Sequence, residues 1–320
     1  MTLFRPAWSR RATLEAAALA LARPAAADDG AARLAAGLSA PGRAAIPLDD
    51  VAGALTLYSY RAAAYRPGGR VVVVLHGMNR NGDAYRDFWV EAAERHGLLV
   101  LAPCFSSAAY PGAAAYNNGH LRDAAGQLRP AAAWSYAVPA RLLALLRQAG
   151  VVDGAPAWLF GHSAGGQFAH RLASTQDLTP FRAIAAANPG WYSLPRLDLP
   201  FPAGLGGIGL DEAALARLLA FPLLILAGEQ DRQSASPSLP RHDAALAQGP
   251  NRFSRAQTYL EAGRAEAARR GLPFGWSLIP VPHIGHDGAA MSRVAASLWF
   301  EGRLPAEDLL RGWGHAGQRP

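Results

Sequence analysis

The chain contains no lysine. All 31 of its basic residues are arginine, set against 24 acidic residues, for a formal charge of +7. A nucleic-acid partner would call for clustered arginines, yet none of their runs exceeds two residues. Missing lysine beside abundant alanine marks a compositional bias of the coding genome, so the basic balance carries no argument for nucleic acid. Cysteine is almost absent too. Cys104 is the single one, which excludes an intramolecular disulfide and any cysteine-based metal site. It follows Leu99-Val100-Leu101-Ala102-Pro103 and reads as a buried strand-end thiol rather than a nucleophile. No run of ~18 apolar residues occurs, so no transmembrane helix and no stable membrane insertion is expected. No internal repeat is visible.

What is present is apolar material, 51% of 320 residues, enough to bury the core of one large α/β domain or of two smaller ones. The first 42 residues stand apart. Ser9-Arg10-Arg11-Ala12-Thr13-Leu14 resembles a twin-arginine export signal. A short apolar stretch from Ala16 to Ala22 follows, then Ala25-Ala26-Ala27 as a cleavage site before Asp28. The expectation is an exported protein, periplasmic or secreted, and a cytoplasmic one if this segment is merely an alanine-rich start. Residues 1–42 are set aside as export-signal-like and flexible.

Beyond them the chain alternates strands and helices. Ala54 to Tyr60 reads as an early, edge-like strand. Val71-Val72-Val73-Val74-Leu75 is a β-branched run of the kind covered on both faces. A helix over 83–96 has Tyr85, Phe88, Trp89, Ala92 and Ala93 on one face, and Gly97 ends it. Leu98 to Leu101 forms the next strand of a βαβ unit. Residues 105–133 lose periodicity and read as a long loop, functional or mobile. A helix resumes at Pro139, strands follow at 158–160, 181–187 and 221–227, and Asp211 caps a helix over 212–220. Residues 193–209 read as a loop or cap. A helix over 253–270, a strand over 276–281 and a helix over 289–300 complete the pattern. The fold class is α/β, with a mostly parallel, doubly covered sheet. The domain spans 43–303, and 304–320 is a loosely packed tail.

Trp158-Leu159-Phe160-Gly161-His162-Ser163-Ala164-Gly165-Gly166 is the stretch with chemistry in it. It reads as a buried strand, a tight turn with serine at the apex, and a helix, which is the nucleophile-elbow pattern G-x-S-x-G. Small neighbours let strand and helix approach closely, and the turn lifts the hydroxyl clear of the sheet. The Ala164 N–H stands at the positive end of the new helix, where it can stabilise an oxyanion.

A serine hydroxyl needs a base, and the base needs a carboxylate to orient it. In an elbow fold the acid and then the histidine follow the serine along the chain. Asp231, just past the 221–227 strand, is the acid of choice, with Glu229 as runner-up. Val281-Pro282-His283-Ile284-Gly285-His286-Asp287-Gly288 offers two histidines; His286 is preferred because the glycine-flanked loop gives reach, and His283 would line the site or satisfy a buried hydrogen bond. In His76-Gly77-Met78-Asn79 the Met78 N–H is the second oxyanion donor, while His76 and His162 read as structural. Trp191 and Tyr192 follow a strand end, where they either line a substrate pocket or plug the core.

In order and spacing, residues 71–81, 158–172, 222–231 and 281–288 resemble the α/β-hydrolase superfamily, over about Leu55 to Phe300. The His-Ser-Ala-Gly-Gly elbow is similar to those of secreted esterases and polyester depolymerases. The resemblance implies a serine hydrolase with no metal or organic cofactor, acting on a small-molecule or polymeric ester. A serine peptidase or amidase uses the same triad. A non-catalytic binding protein on a hydrolase scaffold is the third alternative.

Overall fold

The β-branched run Val71–Leu75 forms strand β3, and all five of its residues are buried. The protein, analysed as a computed structural model, is described over residues 29–316. Its elements run α1 (residues 29–37), β1 (Gly42–Leu48), β2 (Leu55–Arg61), β3, α2 (Gly82–Asp87), α3 (Val90–His96), β4 (Leu99–Cys104), α4 (Gly112–Ala115), α5 (Val138–Gln148), β5 (Ala157–His162), α6 (Ala164–Thr175), β6 (Phe181–Ala187), α7 (Glu212–Ala220), β7 (Leu223–Gly228), α8 (Asp243–Leu246), α9 (Arg252–Arg270), β8 (Ser277–Val281), α10 (Gly288–Phe300) and α11 (Glu307–Ala316).

The eight strands form one sheet in the order β1-β2-β4-β3-β5-β6-β7-β8. The first two pairings, β1 with β2 and β2 with β4, are antiparallel, and every later pairing is parallel. After β3 the chain moves one way to β4, then returns past β3 to β5. That reversal makes β3 and β5 neighbours at a topological switch point. Their carboxyl ends are where an open parallel sheet leaves a crevice. Leu75 at the end of β3 lies opposite Gly161 near the end of β5, so the loop after β3 faces the turn after β5.

Several expectations need correction. The single helix over 83–96 is two. The chain breaks at Phe88-Trp89, and the Trp89 N–H bonds to Arg86 O, three residues back instead of four. The break buries Trp89 completely against Phe160 and Trp299, and that aromatic contact outweighs one continuous helix. Gly97 ends α3 in the left-handed conformation, φ 64°, as its position suggests.

The first part of the stretch 105–133, up to Leu121, packs on the core, whereas residues 122–132 are mostly exposed. Phe105, Tyr110 and Tyr116 are buried in it. Arg80 ties it down, donating to Phe105 O (2.6 Å), Tyr110 O (3.1 Å) and Gly112 O (2.9 Å) with its guanidinium over the Tyr116 ring.

Order begins earlier than residue 43: Leu34 and Leu38 belong to the core, and β1 follows. The exposed Pro47 masks the alternation of β1 in the sequence. The segment after 303 carries α11, whose Leu310 is buried and whose Trp313 ring lies under the Arg293 guanidinium. The arginine pair and cleavage site of the export-like segment lie outside the described residues. No helix among the described residues is long and apolar enough to cross a membrane.

Candidate active site

The elbow is built by exclusion of bulk. A Cβ on Gly161 would stand 2.1 Å from Gly165 O, and one on Gly165 would stand 2.2 Å from Leu75 O. With glycine at both places, β5, α6 and the end of β3 close on one another. Ser163 between them takes φ 57°, a strained conformation for a residue with a side chain. Its N–H is held by Ala187 O at 2.9 Å.

Ser163 Oγ lies 3.0 Å from His286 Nε2, and His286 Nδ1 lies 2.7 Å from Asp231 Oδ2. A carboxylate accepts, so Nδ1 carries the imidazole proton and Nε2 is free to accept from the serine hydroxyl. Asp231 is buried, at 3% exposure, while the His286 side chain is about a third exposed and borders the cleft. The three residues come from the ends of β5 and β7 and the loop after β8. Asp231, not Glu229, is the carboxylate at Nδ1.

The other histidines are engaged elsewhere. His283 points at α11, with Nε2 3.2 Å from Glu307 Oε1. His76 accepts the Phe105 N–H at Nε2, which leaves Nδ1 to donate to Gly77 O; burial pushes its pKa down to about 4. The His162 ring lies 4.6 Å from the His286 ring, tilted by 39°, and its Nδ1 is 2.8 Å from the Tyr85 hydroxyl. Burial holds the pKa of His162 well below 6.5, and the neighbouring His286 and Arg252 push it the same way. It is a neutral wall of the site.

Gly77 faces Ser163 so closely that a Cβ there would lie 3.9 Å from Ser163 Cβ. The loop after β3 is fixed from behind by Tyr116, whose hydroxyl donates to His76 O at 2.6 Å. Met78 follows in the same loop with its side chain 59% exposed, and Ala164 opens α6. With Phe88, Asn79 and Ser238, Met78 borders a cleft of about 280 Å3 over Ser163. A larger cavity of about 370 Å3 lies between α3, α10 and α11 and includes none of these residues.

Trp191 and Tyr192 do not line the cleft, which corrects the pocket reading. Tyr192 is fully buried and stacks on Tyr259 at 4.4 Å, which in turn stacks on Trp276. Trp191 is 6% exposed, packed by His242 and the Arg171 guanidinium. Three residues near the site were missed. Asn188, at φ 44°, donates from Nδ2 to Gly285 O (3.0 Å) and accepts from Gly228 N–H (2.8 Å), which links the loop carrying His286 to the end of β7 before Asp231. Tyr85 supports His162. Arg252 lies 3.3 Å from Asp231 Oδ1. Its sequence signal is an arginine opening a helix, where the macrodipole disfavours a cation.

Cys104 is half-buried and donates to Arg80 O; burial raises its thiol pKa, so the thiolate is scarce. Among the described residues, no group of three or more His, Cys, Asp or Glu is arranged to hold a metal ion.

No protein-family profile matches the chain, and no curated protein does. Solved structures match closely. The poly(3-hydroxybutyrate) depolymerase LpqC from Bordetella parapertussis is 55% identical, covering 88% of this chain and 98% of its own, with a TM-score of 0.86. Poly(aspartic acid) hydrolase-1 from Sphingomonas sp. KT-1 is 34% identical over 81% of this chain and 98% of its own, with a TM-score of 0.77. An S-formylglutathione hydrolase from Agrobacterium tumefaciens, at 21% identity, 83% and 97% coverage and a TM-score of 0.53, shares the fold. With a mostly parallel sheet, a serine elbow and this identity to a depolymerase, the chain belongs to the α/β-hydrolase superfamily and is a serine hydrolase.

Proposed function

We propose that the protein cleaves carboxylic esters through an acyl-enzyme, with Ser163 as nucleophile, His286 as general base and Asp231 as the acid that orients it. The observation that carries this reading is the hydrogen-bonded series from Ser163 through His286 to Asp231 at the floor of the cleft. His286 Nε2 takes the hydroxyl proton as Oγ attacks the ester carbonyl. The imidazolium then gives that proton to the leaving alcohol. Water repeats the sequence on the acyl-enzyme and regenerates the serine. The N–H groups of Met78 and Ala164 receive the oxyanion; the second sits at the head of α6, where the helix dipole adds to it.

The substrate in this reading is an ester with a short apolar acyl part, as a small molecule or as a polyester end. The exposed Met78 and the half-buried Phe88 give the cleft its apolar border, and LpqC is named for a polyester. The sheet is taken to be covered on both faces, a reading favoured by the burial of every residue of β3, whose side chains alternate in direction. The test is a panel of p-nitrophenyl esters of increasing acyl length, 3-hydroxybutyrate oligomers and matched p-nitroanilides. Esters and oligomers are expected to turn over, with a preference for short acyl groups, and a fluorophosphonate is expected to label Ser163. Anilides cleaved faster than esters would replace the esterase by an amidase. No labelling and no turnover would leave a non-catalytic scaffold.

Export belongs to the same proposal. If Arg10-Arg11 directs translocation, the mature chain begins near Asp28, next to the first described residue, 29. Intact-mass measurement on protein from its native host reads this directly. A dominant form retaining Met1 rejects export.

A further inference from the structure

Four arginine side chains are buried among the described residues, Arg86, Arg171, Arg252 and Arg255, against a single buried carboxylate, Asp231. Of the four, Arg252 is the one that takes it. Its Nη1 lies 3.3 Å from Asp231 Oδ1, on the carboxylate oxygen opposite the one that holds His286, and both side chains are 2% exposed. Nη2 donates to Ser238 Oγ at 2.8 Å, and Ser238 borders the cleft over Ser163. The Nε atom is buried without a partner.

This arrangement is expensive to keep. A buried guanidinium with an unmet donor loses solvation that one pairing does not restore in full. Arg252 is also the first residue of α9, behind the Asn251 cap, where the helix dipole opposes a positive charge. Well-packed apolar residues in place of a buried ion pair are often as stable or more so. Stability alone therefore gives no reason for the arginine, whereas its contact with Asp231 does.

We propose that Arg252 is a positioning residue for hydrolysis: it locks Asp231 in the rotamer that orients His286 and balances its charge, which sets the pH at which activity falls on the acid side. The inference rests on the triad reading above. Asp231 without Arg252 would present His286 with an uncompensated negative charge, which favours the imidazolium. A protonated His286 cannot accept from Ser163. The base would then become competent only at higher pH.

The other charged and titratable groups around the pair leave this argument intact. His162, across the ring of His286, stays neutral. Tyr192 beside Asp231 and Tyr85 beside His162 keep their protons, since burial raises both pKa values. Asp287, next in sequence, turns its carboxylate to cap α10 at Ala290 N. Arg255 donates to Gly190 O and Gly249 O, and Arg171 to Asn117 O, Asn118 and Ser193. Glu229 and Arg232 flank the acid loop toward solvent.

The experiment is kcat/KM against pH from 5 to 9 for the wild type, Arg252→Met, Arg252→Gln and Arg252→Lys, with thermal melts alongside. In both neutral variants the acid limb is expected to move up by about one pH unit, the size of effect one nearby charge exerts. Arg252→Lys, which keeps the charge, should hold the limb near its wild-type position even if its turnover is lower. Arg252→Gln removes the charge but keeps a polar amide in the pocket, and it carries the test if Arg252→Met does not fold. A lower melting temperature with an unmoved acid limb in a folded neutral variant would overturn the proposal and leave Arg252 structural. That result differs from failure of the triad reading, in which Ser163→Ala would itself remain active.

Discussion

Ser163→Ala is expected to lower kcat/KM for esters by at least ~1,000-fold while the protein stays folded. The loss follows from the position of Oγ, 3.0 Å from His286 Nε2 and the one side-chain nucleophile at the elbow. What remains would come from binding and from oxyanion donors that the substitution leaves in place. The fold should survive for a specific reason. Ser163 occupies the N-cap of α6, but its side chain makes no capping hydrogen bond, so alanine forfeits none. The strain at φ 57° is unchanged, because serine and alanine carry the same Cβ. Thermal melting and steady-state kinetics on the same preparation decide the matter. A folded variant with near-normal turnover would remove Ser163 from the mechanism.

His286→Ala is the second large effect, expected to match Ser163→Ala, with the double variant no worse than either single one because the residues act as a unit. His283→Ala should retain most activity and the wild-type pH dependence. Its side chain pairs with Glu307 at the surface, and an exposed pair of that kind contributes at most about 1 kcal/mol. Wild-type activity should rise with pH as the base loses its proton. Burial pushes the pKa of His76 down to about 4 and holds that of His162 well below 6.5, so of the histidines at the site neither of these two is the expected source of that rise. Measured across that range, an active His286→Ala beside an inactive His283→Ala would transfer the role of base to His283.

The residues of the proposed triad were readable because each follows an apolar strand, and a strand end announces itself over a few neighbours. Ser163 adds flanking glycines, and His286 adds a loop short enough to fix its reach. Trp191 and Tyr192 carried no such local information. An aromatic pair after a strand looks the same in the sequence whether it lines a pocket or fills a core. Its place is decided by Tyr259 and Trp276, distant along the chain, and by the turn at Asn188. Arg252 was legible only as a breach of a local rule, a cation at the head of a helix, whose reason appears once Asp231 is brought beside it. The break between α2 and α3 was hidden for a similar cause: periodicity puts Trp89 on the helical face, but the space it fills is set by Phe160 and Trp299.

The strand order has a further consequence at its two ends. β1 and β8 are the outermost strands, and each carries an exposed proline, Pro47 in one and Pro280 in the other. An unpaired strand edge is a template on which another backbone can lay its own hydrogen bonds, the first step toward fibrous aggregation. Proline offers no N–H to such a guest and interrupts the row of donors within a short strand. Among the described residues, each flank of the sheet therefore carries a break in its row of donors, which disfavours growth by strand addition.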